Sequence, residues 1–160
     1  MIKLKDILFK NTAPGIFVPR RLEDRVERLI KNYIRNGNKG NLKLSDMELT
    51  ELPIILKNID IEGNFSCANN KLTSLINAPK YIGGYFSCAN NKITSLNGCP
   101  KYVGEHFNCS DNNLTSLDGC PKYVGGEFHI MNNPGKFLTK QIRAVCDVQG
   151  AIFVGGYDKA

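Results

Sequence analysis

Phe86–Leu96 reads FSCANNKITSL. The stretch returns nearly unchanged as Phe65–Leu75 (FSCANNKLTSL) and Phe107–Leu117 (FNCSDNNLTSL), and in degenerate form from Phe128 (FHIMNNPGKFL). The copies begin at 65, 86, 107 and 128, a period of 21 residues. A fixed period of this size marks a solenoid, in which no unit buries its apolar face alone and each depends on its neighbours. Phe86 and Cys88 lie two residues apart and so project from one face of a short strand. Asn91 then turns the chain, and its side-chain amide can satisfy backbone groups bared by the turn. Stacking aligns Asn70, Asn91, Asn112 and Asn133 in a ladder.

Each copy matches the leucine-rich-repeat pattern L-x-x-L-x-L-x-x-N/C-x-L. Phe86 and Cys88 take the strand positions, Asn91 the asparagine, and Ile93 and Leu96 the apolar positions that follow. The expected fold is therefore α/β: a leucine-rich-repeat solenoid with about six short parallel strands, an N-terminal capping helix, and a short C-terminal helix followed by a final strand. Residues 1–39 form the basic N-terminal segment and cap. Residues 40–154 form the solenoid, with repeats starting near 42, 65, 86, 107, 128 and 152, and 155–160 are a tail. In the divergent first repeat Leu42 and Leu44 are the strand positions and Met47 replaces the asparagine. Arg20–Asn36 reads as a helix, because Leu22, Val26, Leu29, Ile30, Tyr33 and Ile34 make one apolar stripe between Pro19 and Asn36-Gly37. Ile16-Phe17-Val18 is expected to plug the open end. Thr139–Cys146 reads as a short helix with Leu138, Ile142 and Val145 inward, and Ile152-Phe153-Val154 as the last strand.

N-x-L-T-S-L resembles the short bacterial-type repeats of leucine-rich-repeat effectors from Gram-negative pathogens. The linkers Pro79-Lys80-Tyr81-Ile82-Gly83, Pro100-Lys101-Tyr102-Val103-Gly104 and Pro121-Lys122-Tyr123-Val124-Gly125 are similar to those of small repeat proteins carried by T-even-like tailed bacteriophages. That resemblance spans roughly the whole chain, including Met1–Leu8 and Phe17–Arg21. It implies a small protein made in an infected bacterium, located in the host cytoplasm or the virion, that binds a host or phage protein, a host factor or defence protein among them.

The 160 residues carry a formal charge of +6, and the excess is local. Residues 1–43 hold eleven Lys and Arg against four Asp and Glu, whereas the remainder is nearly neutral. No apolar run is long enough to span a bilayer, and MIKLKDILFK lacks the features of a secretory signal. Cys67, Cys88 and Cys109 occupy inward strand positions, and Cys99 and Cys120 stand where the first regular copy has Ala78. Both exchanges fit small buried side chains, so reduced thiols in a cytoplasmic compartment are expected. Lys80, Lys101 and Lys122 should form a solubilising ladder beside Tyr81, Tyr102 and Tyr123, which cover the linker core.

Strand residues between the apolar ones should face the concave side in four rows. The first is Asn41, Asn64, Tyr85, His106, Glu127, Ala151, and the second is Lys43, Ser66, Ser87, Asn108, His129, Phe153. The third runs from Ser45 to Met131, and the fourth is Asp46, Asn69, Asn90, Asp111, Asn132. Larger groups gather toward the C-terminal half. The candidate partner-binding residues are Tyr85, Ser87, His106, Asn108, Glu127, His129, Met131 and Phe153, because recognition surfaces favour aromatic anchors ringed by polar groups.

His106, Glu127 and His129 are ligand types a metal would use. The favoured reading is a polar patch with one His–Glu pair, and neither metal nor cofactor is expected. Cys109 and His106 point to opposite faces and cannot act as a catalytic pair. Arg21, Arg25, Arg28 and Arg35 share one helix flank and could contact phosphates or an acidic protein, with Glu23, Asp24 and Glu27 close enough to pair with them. The leading expectation is a non-enzymatic protein-interaction module; a virion structural protein and a nucleic-acid-associated protein are the alternatives. With the last strand expected at Ile152–Val154, close to residue 160, no appended catalytic domain is expected. A monomer or an end-to-end dimer through Ile152–Val154 is expected.

Overall fold

A computed structural model describes residues 20–155, with side chains from residue 24 onward. The segment before residue 20, including the Ile16-Phe17-Val18 plug, and the tail from 156 lie outside the described residues, as do the side chains of Arg21 and Leu22. Helix α1 (Arg20–Arg35) leads into strand β1 (Leu42–Lys43) and a 3₁₀ turn (Ile54–Asn58) that takes up the longer first linker. Then come β2 (Phe65–Ser66), β3 (Tyr81–Ile82), β4 (Phe86–Ser87), β5 (Tyr102–Val103), β6 (Phe107–Asn108), β7 (Tyr123–Val124) and β8 (Phe128–His129). Helix α2 (Thr139–Val145), β9 (Asp147–Val148) and β10 (Ile152–Phe153) follow.

The six expected strands form one parallel sheet in the order β1-β2-β4-β6-β8-β10. Its register is that of the repeat: Leu42, Phe65, Phe86, Phe107, Phe128 and Ile152 form one column, and Lys43, Ser66, Ser87, Asn108, His129 and Phe153 the next. The chain is an α/β leucine-rich-repeat solenoid. The linkers add a feature that two-residue strands do not announce in a sequence. β3, β5, β7 and β9 make a second parallel sheet, pairing Tyr81 with Tyr102 and Tyr102 with Tyr123.

The core lies between the two sheets. Phe65, Phe86, Phe107 and Phe128 are fully buried, and the first three rings stack at 5.4–5.5 Å. Phe128 meets Phe107 edge-on at an interplanar angle of 80°, ending the stack where Ile152 replaces phenylalanine in the column. Cys67, Cys88 and Cys109 are buried beside this spine, and all six cysteines are free thiols. Burial without a compensating charge pushes the Cys67 thiol up to about 12.

The asparagine ladder is built between coils. Asn112 Oδ1 accepts the N–H of Ile93 in the preceding coil at 3.0 Å, while Nδ2 donates to Cys88 O at 3.0 Å and Ser110 O at 3.1 Å. Asn91 serves Leu72 and Asn133 serves Leu114 in the same way. Asn70 Oδ1 accepts from both Met47 and Leu49 of the first repeat. Each amide thus grips the coil before it. Among the described residues no coil precedes the first repeat, where the apolar, buried Met47 takes the position.

The ends show where apolar periodicity over-reads. In α1, Val26, Ile30 and Tyr33 are buried and Leu29 partly so, but Ile34 is 38% exposed, because one helix face covers only one sheet edge. At α2 only Ile142 of the three expected residues is inward. Leu138 and Val145 are 38% and 46% exposed, and Phe137 fills the space instead. A helix of seven residues presents too narrow a face to bury all three.

Candidate functional site

The open face of the six-stranded sheet carries an elongated depression of about 490 Å³. Its lining includes Tyr85, Ser87, His106, Asn108, Glu127 and His129, six of the eight residues singled out from the rows. Met131 and Phe153 sit beyond its C-terminal edge: Met131 lies under Gly155, and Phe153 stacks on His129 with ring centroids 4.5 Å apart. The depression also reaches into the N-terminal half, where Lys43, Ser45, Asp46, Ser66, Ala68 and Asn69 line it. Selection by side-chain size passed over this half; the register of the rows was the signal that reached it.

The floor is small and ordered. The Ser45 and Ser66 hydroxyls bond at 2.6 Å and Asn108 Oδ1 accepts Ser110 N at 3.0 Å; beyond the edge, Ser110 Oγ accepts Met131 N at 3.1 Å. Side chains held by such bonds lose little freedom when a partner arrives. Along the first row, Asn41 Oδ1 accepts Asn64 N at 2.8 Å and Asn64 Oδ1 accepts Tyr85 N at 2.9 Å. His106 continues the pattern, its Nδ1 accepting Glu127 N at 3.0 Å. That nitrogen therefore bears no proton, and its 3.8 Å approach to Glu127 Oε2 is not a hydrogen bond. His129 Nε2 instead donates to Glu127 Oε2 at 2.9 Å. The patch is one His–Glu pair beside a ladder histidine, and among the described residues no three His, Cys, Asp or Glu side chains converge as a metal site would require.

The fourth row forms the rim. Asp46, Asn69, Asn90, Asp111 and Asn132 all have left-handed backbones, with φ between 54° and 60°, a conformation asparagine and aspartate tolerate. Asn69 donates to Asp46, Asn90 to Asn69, and Asn132 to Asp111, each at 2.8–2.9 Å. Asp111 has no amide hydrogen to offer Asn90, so the rim divides into two runs, each started by an aspartate.

The basic helix presents a different surface. Arg25, Arg28 and Arg35 are exposed. Arg28 and Arg35 line a shallow hollow, but Asp24 and Glu27 line it with them, and Glu27 pairs with Lys31. On the second sheet the rings of Tyr81, Tyr102 and Tyr123 stack at 4.9 Å, so their faces are largely spent on one another. No described helix is long and apolar enough to cross a membrane.

No protein-family model matches the chain, and no curated protein matches it. Among solved structures it is similar to a Shigella effector leucine-rich-repeat domain, with a TM-score of 0.44 and 17% identity over 91% of this chain and 92% of that one. Likeness at that level carries no argument beyond what the coils themselves display.

Proposed function

We propose that this chain is a non-enzymatic protein-interaction module that receives a protein segment on the open face of its six-stranded sheet. The observation that carries the reading is the depression itself: in-register columns line it with Tyr85 and His129 beside small polar side chains that are fixed by hydrogen bonds. Such a surface combines aromatic anchors with preorganised polar contacts. The linker resemblance supports a setting in a phage-infected bacterium, with a host or phage protein as partner. The arginine flank of α1 is the weaker nucleic-acid surface, since acidic side chains share its hollow.

The test is a pull-down from bacterial lysate treated with nuclease, using wild type, Tyr85→Ala/His129→Ala/Met131→Ala, and Arg25→Ala/Arg28→Ala/Arg35→Ala. A partner held by wild type and the arginine variant, lost by the first triple, and rebound directly after purification supports the reading. Retention that vanishes with nuclease or with the arginine variant, while surviving the open-face triple, refutes it.

A further inference from the structure

We propose that the open face takes an extended basic segment of its partner, with one Lys or Arg seated at the break in the rim between Asn90 and Asp111 and a second, four residues away, at Asp46; this rests on the open-face reading and adds the chemistry and spacing of the occupant.

The four rows of the open face carry three carboxylates, Asp46, Asp111 and Glu127, and one lysine, Lys43, although the chain as a whole has a formal charge of +6. Neither aspartate has an ion-pair partner among the described residues. A negative face on a positive molecule draws basic partners to that side and repels nucleic acid from it.

Asp111 is the rim residue that stability alone does not account for. Asparagine fills the same position at 69, 90 and 132, and each of those amides donates to the rim residue of the coil before it. Asp111 has no hydrogen to pass to Asn90, so Asn90 Oδ1 and the Asp111 carboxylate are neighbouring acceptors with no donor between them. Asparagine would close the ladder on the left-handed backbone already present. A local choice that gives up stability marks a functional position. An ammonium or guanidinium placed there donates to both acceptors and completes the ladder. The carboxylates are oriented beforehand, since Asp111 Oδ1 is held by Asn132 at 2.8 Å and Asp46 Oδ1 by Asn69 at 2.9 Å. Beside the rim the third row is small, with Ser45, Ala68, Ala89 and Ser110, which leaves room for the stem of a long basic side chain.

The spacing selects an extended occupant. Asp46 and Asp111 are three coil steps apart, and with strands about 4.8 Å apart they are separated by about 14 Å. An extended chain advances about 3.3 Å per residue, so residues i and i+4 stand about 13 Å apart and project to the same side. A helix needs about nine residues to rise as far, which is about two and a half turns and leaves its two side chains on opposite sides.

The experiment probes an array of peptides in a Ser/Thr/Val background with the labelled chain. Each peptide carries two lysines, at every spacing from adjacent to six apart, or two glutamates in their place. We expect binding to peak at a spacing of four, about tenfold above adjacent lysines, and the glutamate peptides to give no signal. Asp111→Asn should lose about tenfold in affinity for the spacing-four peptide while its urea midpoint rises, a combination that misfolding does not produce. Equal binding at every spacing, no binding at a spacing of four, or binding unchanged in Asp46→Asn/Asp111→Asn overturns the proposal. The partner from the pull-down separates this proposal from the reading it rests on. A partner lost by Tyr85→Ala/His129→Ala/Met131→Ala but held by Asp46→Asn/Asp111→Asn overturns the basic segment and leaves the open-face reading standing, whereas a partner that neither variant loses overturns both.

Discussion

The buried amides set the energy scale for single residues. Asn112 satisfies one N–H and three carbonyls between two coils; removing it strips the buried Ile93 N–H of its acceptor and leaves each carbonyl with one donor fewer. We expect Asn112→Ala to cost about 3 kcal/mol, read as a lower urea midpoint, while the exposed neighbour Asn113→Ala stays within about 0.5 kcal/mol. The rim makes a prediction of opposite sign. Asp111→Asn supplies the missing amide hydrogen to Asn90 and should stabilise by about 0.5–1 kcal/mol, since asparagine tolerates the left-handed backbone already present. The repeat made the Asn70–Asn133 ladder legible. The role of His106 was not, because a histidine among acids suggests chemistry before it suggests an acceptor. The hint was its place in a row headed by Asn41 and Asn64. His106→Asn should therefore keep stability that His106→Ala loses.

At the scale of elements, the second sheet is what sequence reading missed. Tyr-Val pairs two residues long carry no periodicity that distinguishes a strand from a covered loop. The glycine that closes each linker was the available signal. A Cβ at Gly83, Gly104 or Gly125 would lie 2.2, 1.9 or 2.0 Å from a carbonyl oxygen of the preceding coil. Backbone stacks directly on backbone there, which only glycine permits. Gly104→Ala should cost about 3 kcal/mol or more in urea denaturation through that clash. Gly37→Ala meets nothing within 4 Å, and its cost should come only from its left-handed φ of 70°. The helices were legible in position but not in depth: the periodicity of α1 and α2 located both, yet how far each stripe is buried depends on the sheet edge it covers.

For the whole molecule, stacking in register turns a repeat of 21 residues into two parallel sheets sharing one core. The six-stranded sheet was readable because its columns inherit the repeat spacing, and the open-face rows came with it. The extent of the depression was not, since Ser66 and Lys43 carry no distinguishing chemistry until the coils are stacked beside Tyr85 and His106. Among the described residues nothing pairs with the outer edges of β9 and β10, and exposed edges tend to pair. End-to-end association is therefore expected as a mass that rises with concentration, and a constant monomer mass at high concentration would count against it.

The open-face reading is tested most directly by hydroxyl-radical footprinting of the purified chain with and without its captured partner. Side-chain oxidation reports on Tyr85, His106, His129 and Phe153 on the open face, and on Tyr81 and Tyr102 on the opposite sheet. We expect the partner to protect the first group and leave the two tyrosines of the second sheet unchanged. Protection of Tyr81 and Tyr102, with Tyr85 and His129 still oxidised at the free rate, would contradict an open-face binding module.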